Sequence, residues 1–161
     1  MSIRSRPLKV GRINRTVANV QFPDAIWKTC PWQPRELVAT GLRQWLRCAG
    51  AALCDGEVIG MPSHAVDEAW HGFILCTALY ARFCESAYGR FLHHHPDGSG
   101  PTAAGSMDGQ LGRTVVAWTM VAEPGETCVL WDLDERVGVD APWGIPAERV
   151  ASITAELSGG R

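Results

Sequence analysis

Apolar side chains recur every three or four residues along most of the chain, the spacing that places them on one face of an α-helix. The first clear case is residues 34–49, where Pro34 suits the start of a helix. The apolar stripe of this segment consists of Val38, Leu42, Trp45, Leu46 and Ala49. Gly50 and the turn-like CDG at 54–56 are expected to end the helix.

A second helix is predicted to run unbroken from residue 63 to residue 88. Ser63 suits the N-cap, and the acidic Asp67 and Glu68 follow near the N-terminal end, which the helix dipole favours. The predicted core stripe consists of Val66, Trp70, Phe73, Thr77, Tyr80, Cys84 and Ala87. Gly89 is expected to end the helix, because a residue with positive φ is usually needed there.

Three further helices are predicted in the second half of the chain, around residues 111–122, 129–137 and 146–157. The last of them begins at a proline, which suits helix entry. Strand-like runs are limited to 58–59 and 128–130, and both are short. The pattern therefore predicts a mainly α protein, a compact single-domain bundle of about five helices with long connecting loops.

The predicted domain covers residues 21–161, with an exposed loop at 96–109, PDGSGPTAAGSMDG. Residues 1–20 contain no acidic side chain but five basic ones, namely Arg4, Arg6, Lys9, Arg12 and Arg15. We expect this segment to be a flexible, solvated basic arm. Contact of the arm with nucleic acid or with an acidic partner stays open as the alternative.

Composition limits the classes of partner and cofactor to be expected. Hydrophobic residues make up 46% of the chain, charged residues 20%, and the net charge is −2, which describes a globular protein and does not favour a nucleic-acid partner. No apolar run approaches a membrane span and the N-terminus has no signal-like core, so a cytoplasmic protein without a membrane partner is expected. The six cysteines include no CxxC pair, and neither a phosphate loop nor a GxSxG motif is present. We therefore expect free thiols and no nucleotide or organic cofactor.

The residues best suited to metal binding or catalysis lie within 66–96, a segment that holds four of the five histidines. Asp67 and His71 are four residues apart, so on a helix they share one face and can bind the same ion. In the histidine run 93–95, the following proline favours an extended chain, in which His94 faces opposite to its two neighbours. Asp67, His71 and His94 could then form a two-histidine, one-carboxylate site for a divalent zinc, iron or manganese ion.

Around this candidate site, His93 is predicted to support the ligands or to replace one of them, and Trp70 and Tyr80 to line the site. Cys84 is expected to be a buried core residue, since an unbroken helix would place it about 25 Å from Asp67. Two hypotheses remain. The site binds a metal and possesses open positions for chemistry on a small molecule, or the Asp/His cluster is a structural latch in a non-catalytic module that binds a protein partner. Whether the protein is an enzyme is left open.

The stretch MPSHAVDEAWHGFILCTALYARFCESAYGRFLHHHP resembles the glycine-rich-domain-containing-protein-like family in its PS, VD, WH, IL, Tyr, Cys, Gly and LHH positions. Weaker similarity to short bacterial members extends over about residues 35–140, although Val137 replaces their usual leucine and this chain has no glycine-rich domain. Longer members carry a histidine where this chain has Phe73. The resemblance implies that His64 and His95 are incidental and favours Asp67, His71 and His94, but it implies no particular reaction.

Overall fold

The computed structural model describes residues 5–95 and 107–160, with side chains described for 9–95 and 109–160. Over these residues the backbone forms seven α-helices and one short 3-10 helix, Asp24–Lys28, and no β-strand. The α-helices are α1 (Ser5–Asn19), α2 (Arg35–Cys54), α3 (His64–Leu75), α4 (Thr77–Tyr88), α5 (Met107–Val121), α6 (Leu133–Val137) and α7 (Ala147–Gly159). The mainly α prediction is confirmed, although helices are more numerous than the five expected. None of the described helices is both long and apolar enough to cross a membrane.

Helix α2 is the centre of the bundle and contacts α1, α3, α4, α5 and α6. All five residues of its predicted apolar stripe are buried. The helix continues past Gly50, where it was expected to end, as far as Cys54, and the Tyr88 ring packs against the Gly50 position. A Cβ atom at Gly50 would lie 2.2 Å from Tyr88 Cε1, so glycine is needed here for close packing and not for a turn.

The basic N-terminal segment is a packed helix, and the prediction of a flexible arm is wrong for the residues described. Helix α1 contacts α2, α4 and α5, and both Ile13 and Val17 are buried. The prediction weighed only the basic residues of this segment. Between them, Val10, Ile13 and Val17 recur at helical spacing and supply an apolar face. Asn14 on the same helix accepts a hydrogen bond from Arg47 Nε of α2 at 3.1 Å.

The helix predicted over residues 63–88 is divided at Cys76, where φ is −79° and ψ is 59°. The two halves, α3 and α4, each begin and end as separate helices. Ser63 is the N-cap of α3, as predicted, and Gly89 ends α4 with φ of 70°, also as predicted. The core stripe is buried except for Thr77, which lies beside the break and is exposed.

The C-terminal helices are close to their predicted positions. Helix α5 begins at Met107, so the last residues of the predicted loop are helical, and the remainder of that loop, 96–106, lies outside the described residues. The segment predicted as a helix over 129–137 is helical only in α6. Helices α5 and α7 enclose a small second core of Val115, Ile145 and Ile153.

A buried carboxylate from α6 holds the N-terminus of α3. Asp134 has no solvent exposure and accepts hydrogen bonds from Ser63 Oγ at 2.7 Å, His64 N at 2.8 Å and Ala65 N at 3.1 Å. It also accepts one from Trp143 N at 2.8 Å. The first N–H groups of a helix have no partner within the helix, and a negative charge is favoured at that end. Asp134 therefore fixes where α3 begins.

We expect Asp134→Ala to lower the free energy of unfolding by about 3–5 kcal/mol, because two buried and two partly buried donors would lose their acceptor. Chemical denaturation followed by circular dichroism measures this loss. The matched control is Glu135→Gln at the next, exposed position, where a change within about 0.5 kcal/mol is expected. Equal stability of Asp134→Ala and Glu135→Gln would contradict the role given to Asp134.

Candidate metal centre

Helix α3 supplies two of the candidate ligands from adjacent turns. Asp67 and His71 lie four residues apart, and His71 Nδ1 is 3.5 Å from Asp67 Oδ2. Their side chains meet because residues i and i+4 lie one above the other on a helix. The N-terminus of this helix is fixed by Asp134, so both side chains project from an anchored element.

The third candidate ligand arrives from the segment that follows α4. The chain turns at Gly89 and passes back beside α3 and α4, where Leu92 is buried. The hydroxyl of Tyr80 donates to the Leu92 carbonyl at 2.7 Å and accepts from Trp70 Nε1 at 3.2 Å. These two hydrogen bonds tie α3, α4 and the extended segment together, two residues before His94.

His94 completes a compact group of donor atoms. Its Nε2 lies 3.1 Å from Asp67 Oδ1, so the two carboxylate oxygens each face one imidazole. The His94 ring packs against the Trp70 ring, with centroids 4.7 Å apart, and against the His71 ring at 4.3 Å. One ligand atom from each of Asp67, His71 and His94 lies within 4.8 Å of the other two, so the structure brings the predicted set together.

The neighbouring histidines do not join this group. The extended backbone places His93 and His95 in exposed positions, with their ring centroids 6.3 Å apart, and His93 packs on Phe91 at 4.8 Å. His94 is partly buried, so the alternation expected for an extended segment is found. His93 is absent from the donor group, and none of its described contacts supports the ligand role predicted for it.

The candidate site is sheltered on one side and open on the other. The side chains of Asp67 and His94 are 19% and 18% exposed, whereas that of His71 is 48% exposed. Trp70 backs the site, because its buried ring contacts the His94 ring and also packs against the buried Trp45 ring, 5.4 Å away. An ion held by these three residues would have protein behind it and solvent in front.

Two polar groups next to the cluster have other roles. Glu68 pairs with His64, whose Nε2 is 3.3 Å from Glu68 Oε1, and also accepts from Trp32 Nε1. That pair is separate from the donor group, which agrees with the expectation that His64 is incidental. Glu68 follows Asp67 directly, yet the helical turn directs the two carboxylates to different partners.

Buried groups behind the site remain protonated. Burial raises the pKa of the Tyr80 hydroxyl well above its ordinary range, so the hydroxyl stays a donor to Leu92. Burial also raises the pKa of the Cys84 thiol, which argues against a thiolate ligand. The prediction that Cys84 is a buried core residue is confirmed, although the unbroken helix used to place it does not exist.

Sequence reasoning missed the contribution of Leu92. Leu92 acts through its main-chain carbonyl, which every residue type possesses. A leucine in the sequence therefore predicts a buried side chain but not this hydrogen bond. The Tyr80 hydroxyl was expected to line the site, and it acts one step further back, through Trp70 and Leu92. The available signal was the buried position of a tyrosine on the core stripe, because a buried hydroxyl needs a hydrogen-bond partner.

Comparison with known proteins places the chain in a family. A search of curated proteins and a search of solved structures each find no match. The model of the UCP032817-like family matches residues 24–110, more than half of the chain, and this range includes all three candidate ligands. The resemblance to the glycine-rich-domain-containing-protein-like family stays a prediction. The chain belongs to the UCP032817-like family.

Proposed function

We propose that the protein binds one divalent metal ion through Asp67, His71 and His94. The observation that carries the proposal is the grouping of one donor atom from each residue within 4.8 Å. Ligand bonds of about 2.0–2.2 Å imply neighbouring ligand atoms about 3 Å apart. The separations of 3.1 Å and 3.5 Å between the carboxylate oxygens and the two imidazoles are close to that value. The exposed ring of His71 has room to adjust.

The donor types favour zinc, ferrous iron or manganese. One carboxylate and two imidazoles suit borderline divalent ions, and such a set leaves coordination positions open. The open side is the solvent side beside His71, where water or an oxygen atom of a small-molecule substrate could bind. An ion held in this way activates a bound water or polarises a substrate carbonyl. We therefore propose that the site acts on a small molecule.

A second function is favoured by the contacts within the Asp/His cluster itself. The Asp67 carboxylate lies between His71 and His94, and the His94 ring packs on Trp70. A cluster of this kind can tie the segment after α4 to α3 through charge-assisted hydrogen bonds. In this alternative the cluster is a structural latch, and the protein is a non-catalytic module that binds a protein partner.

Elemental analysis of untagged protein distinguishes the two functions. We expect close to one metal ion per chain in the parent and little metal in Asp67→Ala and His94→Ala, because each variant removes a ligand from a three-ligand site. His93→Ala and His95→Ala are the matched controls, since they change histidines of the same run that lie outside the donor group. Both controls should keep the metal of the parent.

The melting temperature provides an independent test of the same point. A metal ion that binds only the folded protein adds about 2.7 kcal/mol to the free energy of unfolding when the free metal concentration is 100 times the dissociation constant. This gain should appear in the parent and vanish in Asp67→Ala. If the parent takes up no zinc, iron or manganese and its melting temperature does not respond to them, the metal proposal fails and the latch remains.

Tyr80→Phe tests whether the hydrogen bonds behind the site position His94. The change leaves the buried Leu92 carbonyl and Trp70 N–H without their partner, so we expect a loss of about 1–3 kcal/mol in unfolding free energy. We also expect metal to bind about tenfold more weakly, the usual effect of losing support behind a ligand.

Tyr88→Phe is the control for this experiment. Its buried hydroxyl donates to the Leu46 carbonyl at 2.7 Å and takes no part in the candidate site. It should cost similar stability by denaturation and leave the metal dissociation constant, measured by calorimetry, unchanged. Equal metal affinity in the Tyr80→Phe and Tyr88→Phe variants would show that Tyr80 does not position the site.

A further inference from the structure

A second region with chemical character lies where α1 crosses the C-terminal ends of α2 and α4. A cavity of about 250 Å³ opens there. It is lined by Lys9, Arg12, Cys54, Ala87, Tyr88 and Arg90, and is called the basic cavity below. None of these residues belongs to the candidate metal centre. Among the residues that the structure describes, the lining carries three cationic side chains and no carboxylate.

The two guanidinium groups are held in place by main-chain carbonyls. Arg12 donates from Nε to Ser86 O at 2.6 Å and from Nη2 to Glu85 O at 2.9 Å, while Arg90 Nη1 donates to Leu53 O at 3.3 Å. These bonds orient the arginines at two helix ends. In the described part of the chain, no ion pair joins either arginine to a carboxylate. Each guanidinium has five N–H donors, so several remain for a ligand.

Capping of helix ends does not account for all the positive charge. Each helix C-terminus carries roughly half a negative charge, so the ends of α2 and α4 together offset about one of the two positive charges of Arg12 and Arg90. Asp55, which follows the last residue of α2, borders the adjoining groove and is not among the described residues that line the basic cavity. A surplus of positive charge remains around an open space, and an anion is the species that would balance it.

The size and donor geometry narrow the ligand class. A volume of about 250 Å³ exceeds that of a single bound water, whose share of the liquid is about 30 Å³, and lies just below the usual range of small-molecule pockets. Guanidinium groups match the oxygen atoms of phosphate with paired hydrogen bonds. We propose that the basic cavity binds a small phosphate monoester through Arg12 and Arg90.

The thiol in the cavity favours binding over covalent chemistry. Burial raises the pKa of Cys54, although Lys9, Arg90 and Arg12 act in the opposite direction, so the thiol stays protonated at neutral pH. A protonated thiol is a weak nucleophile. It is nevertheless a useful reporter, because a ligand seated against Arg12 and Arg90 would cover it.

The test is calorimetric titration of the full chain with glycerol 3-phosphate, with glycerol as the uncharged analogue. We expect saturable binding of glycerol 3-phosphate alone, weakening as salt is raised. Arg90→Gln should weaken it about tenfold or more, because a charge-assisted hydrogen bond is lost, and Arg90→Lys should weaken it less. Arg35→Gln, at the opposite end of α2 about 28 Å away, is the matched control and should bind as the parent does.

Alkylation of Cys54 by iodoacetamide supplies a readout at the cavity itself. Glycerol 3-phosphate should slow the modification of Cys54 and leave that of Cys76, the other partly buried cysteine, unchanged. Peptide mass spectrometry separates the two sites. Asp67→Ala should show the same binding and protection, which makes this proposal independent of the metal proposal. Absence of saturable binding, equal weakening by Arg35→Gln, or no protection of Cys54 would each overturn the assignment.

Discussion

The carboxylate of Asp134 is the constraint on which the arrangement of the candidate metal centre depends. A fully buried carboxylate is costly unless both oxygens accept hydrogen bonds. Here the donors are the first N–H groups of α3, which have no partner within the helix, the Ser63 hydroxyl and the Trp143 N–H. The same contact satisfies both the charge and the helix end. Because α3 is fixed at its start, Asp67 and His71 occupy a defined position one and two turns later.

Helix α3 places only two of the three candidate ligands. The third, His94, is placed by different contacts. The chain beyond α4 has no regular structure of its own over residues 90–95, so its path is set by the buried Leu92 and by the Tyr80 hydrogen bond to its carbonyl. The break at Cys76 separates α3 from α4 and so makes this return possible, since a single straight helix would carry its C-terminal end away from Asp67. His94 therefore depends on a turn, a break and a buried hydroxyl.

The two candidate binding regions differ in how they manage charge. At the candidate metal centre one carboxylate faces two imidazoles, so the charge of Asp67 is complementary to the N–H groups of the histidines. In the basic cavity three cations converge, and helix ends offset only part of their charge. Both regions adjoin the C-terminal end of α4. The basic cavity does so through Tyr88 and Arg90, and the candidate metal centre does so through the extended segment that follows. Gly89, with its positive φ, ends α4 and turns the chain between these two regions.

Local pattern alone determined the class of fold and much of the candidate site. The apolar stripe of α2, the N-cap at Ser63 and the i, i+4 pairing of Asp67 with His71 follow from helical spacing, and the facing of His94 follows from alternation in an extended chain. Only the tertiary structure decided that α1 packs instead of fraying, that the helix breaks at Cys76 and that Arg12 and Arg90 meet at one cavity. These features arise from contacts between residues distant in sequence, which periodicity along the chain does not record.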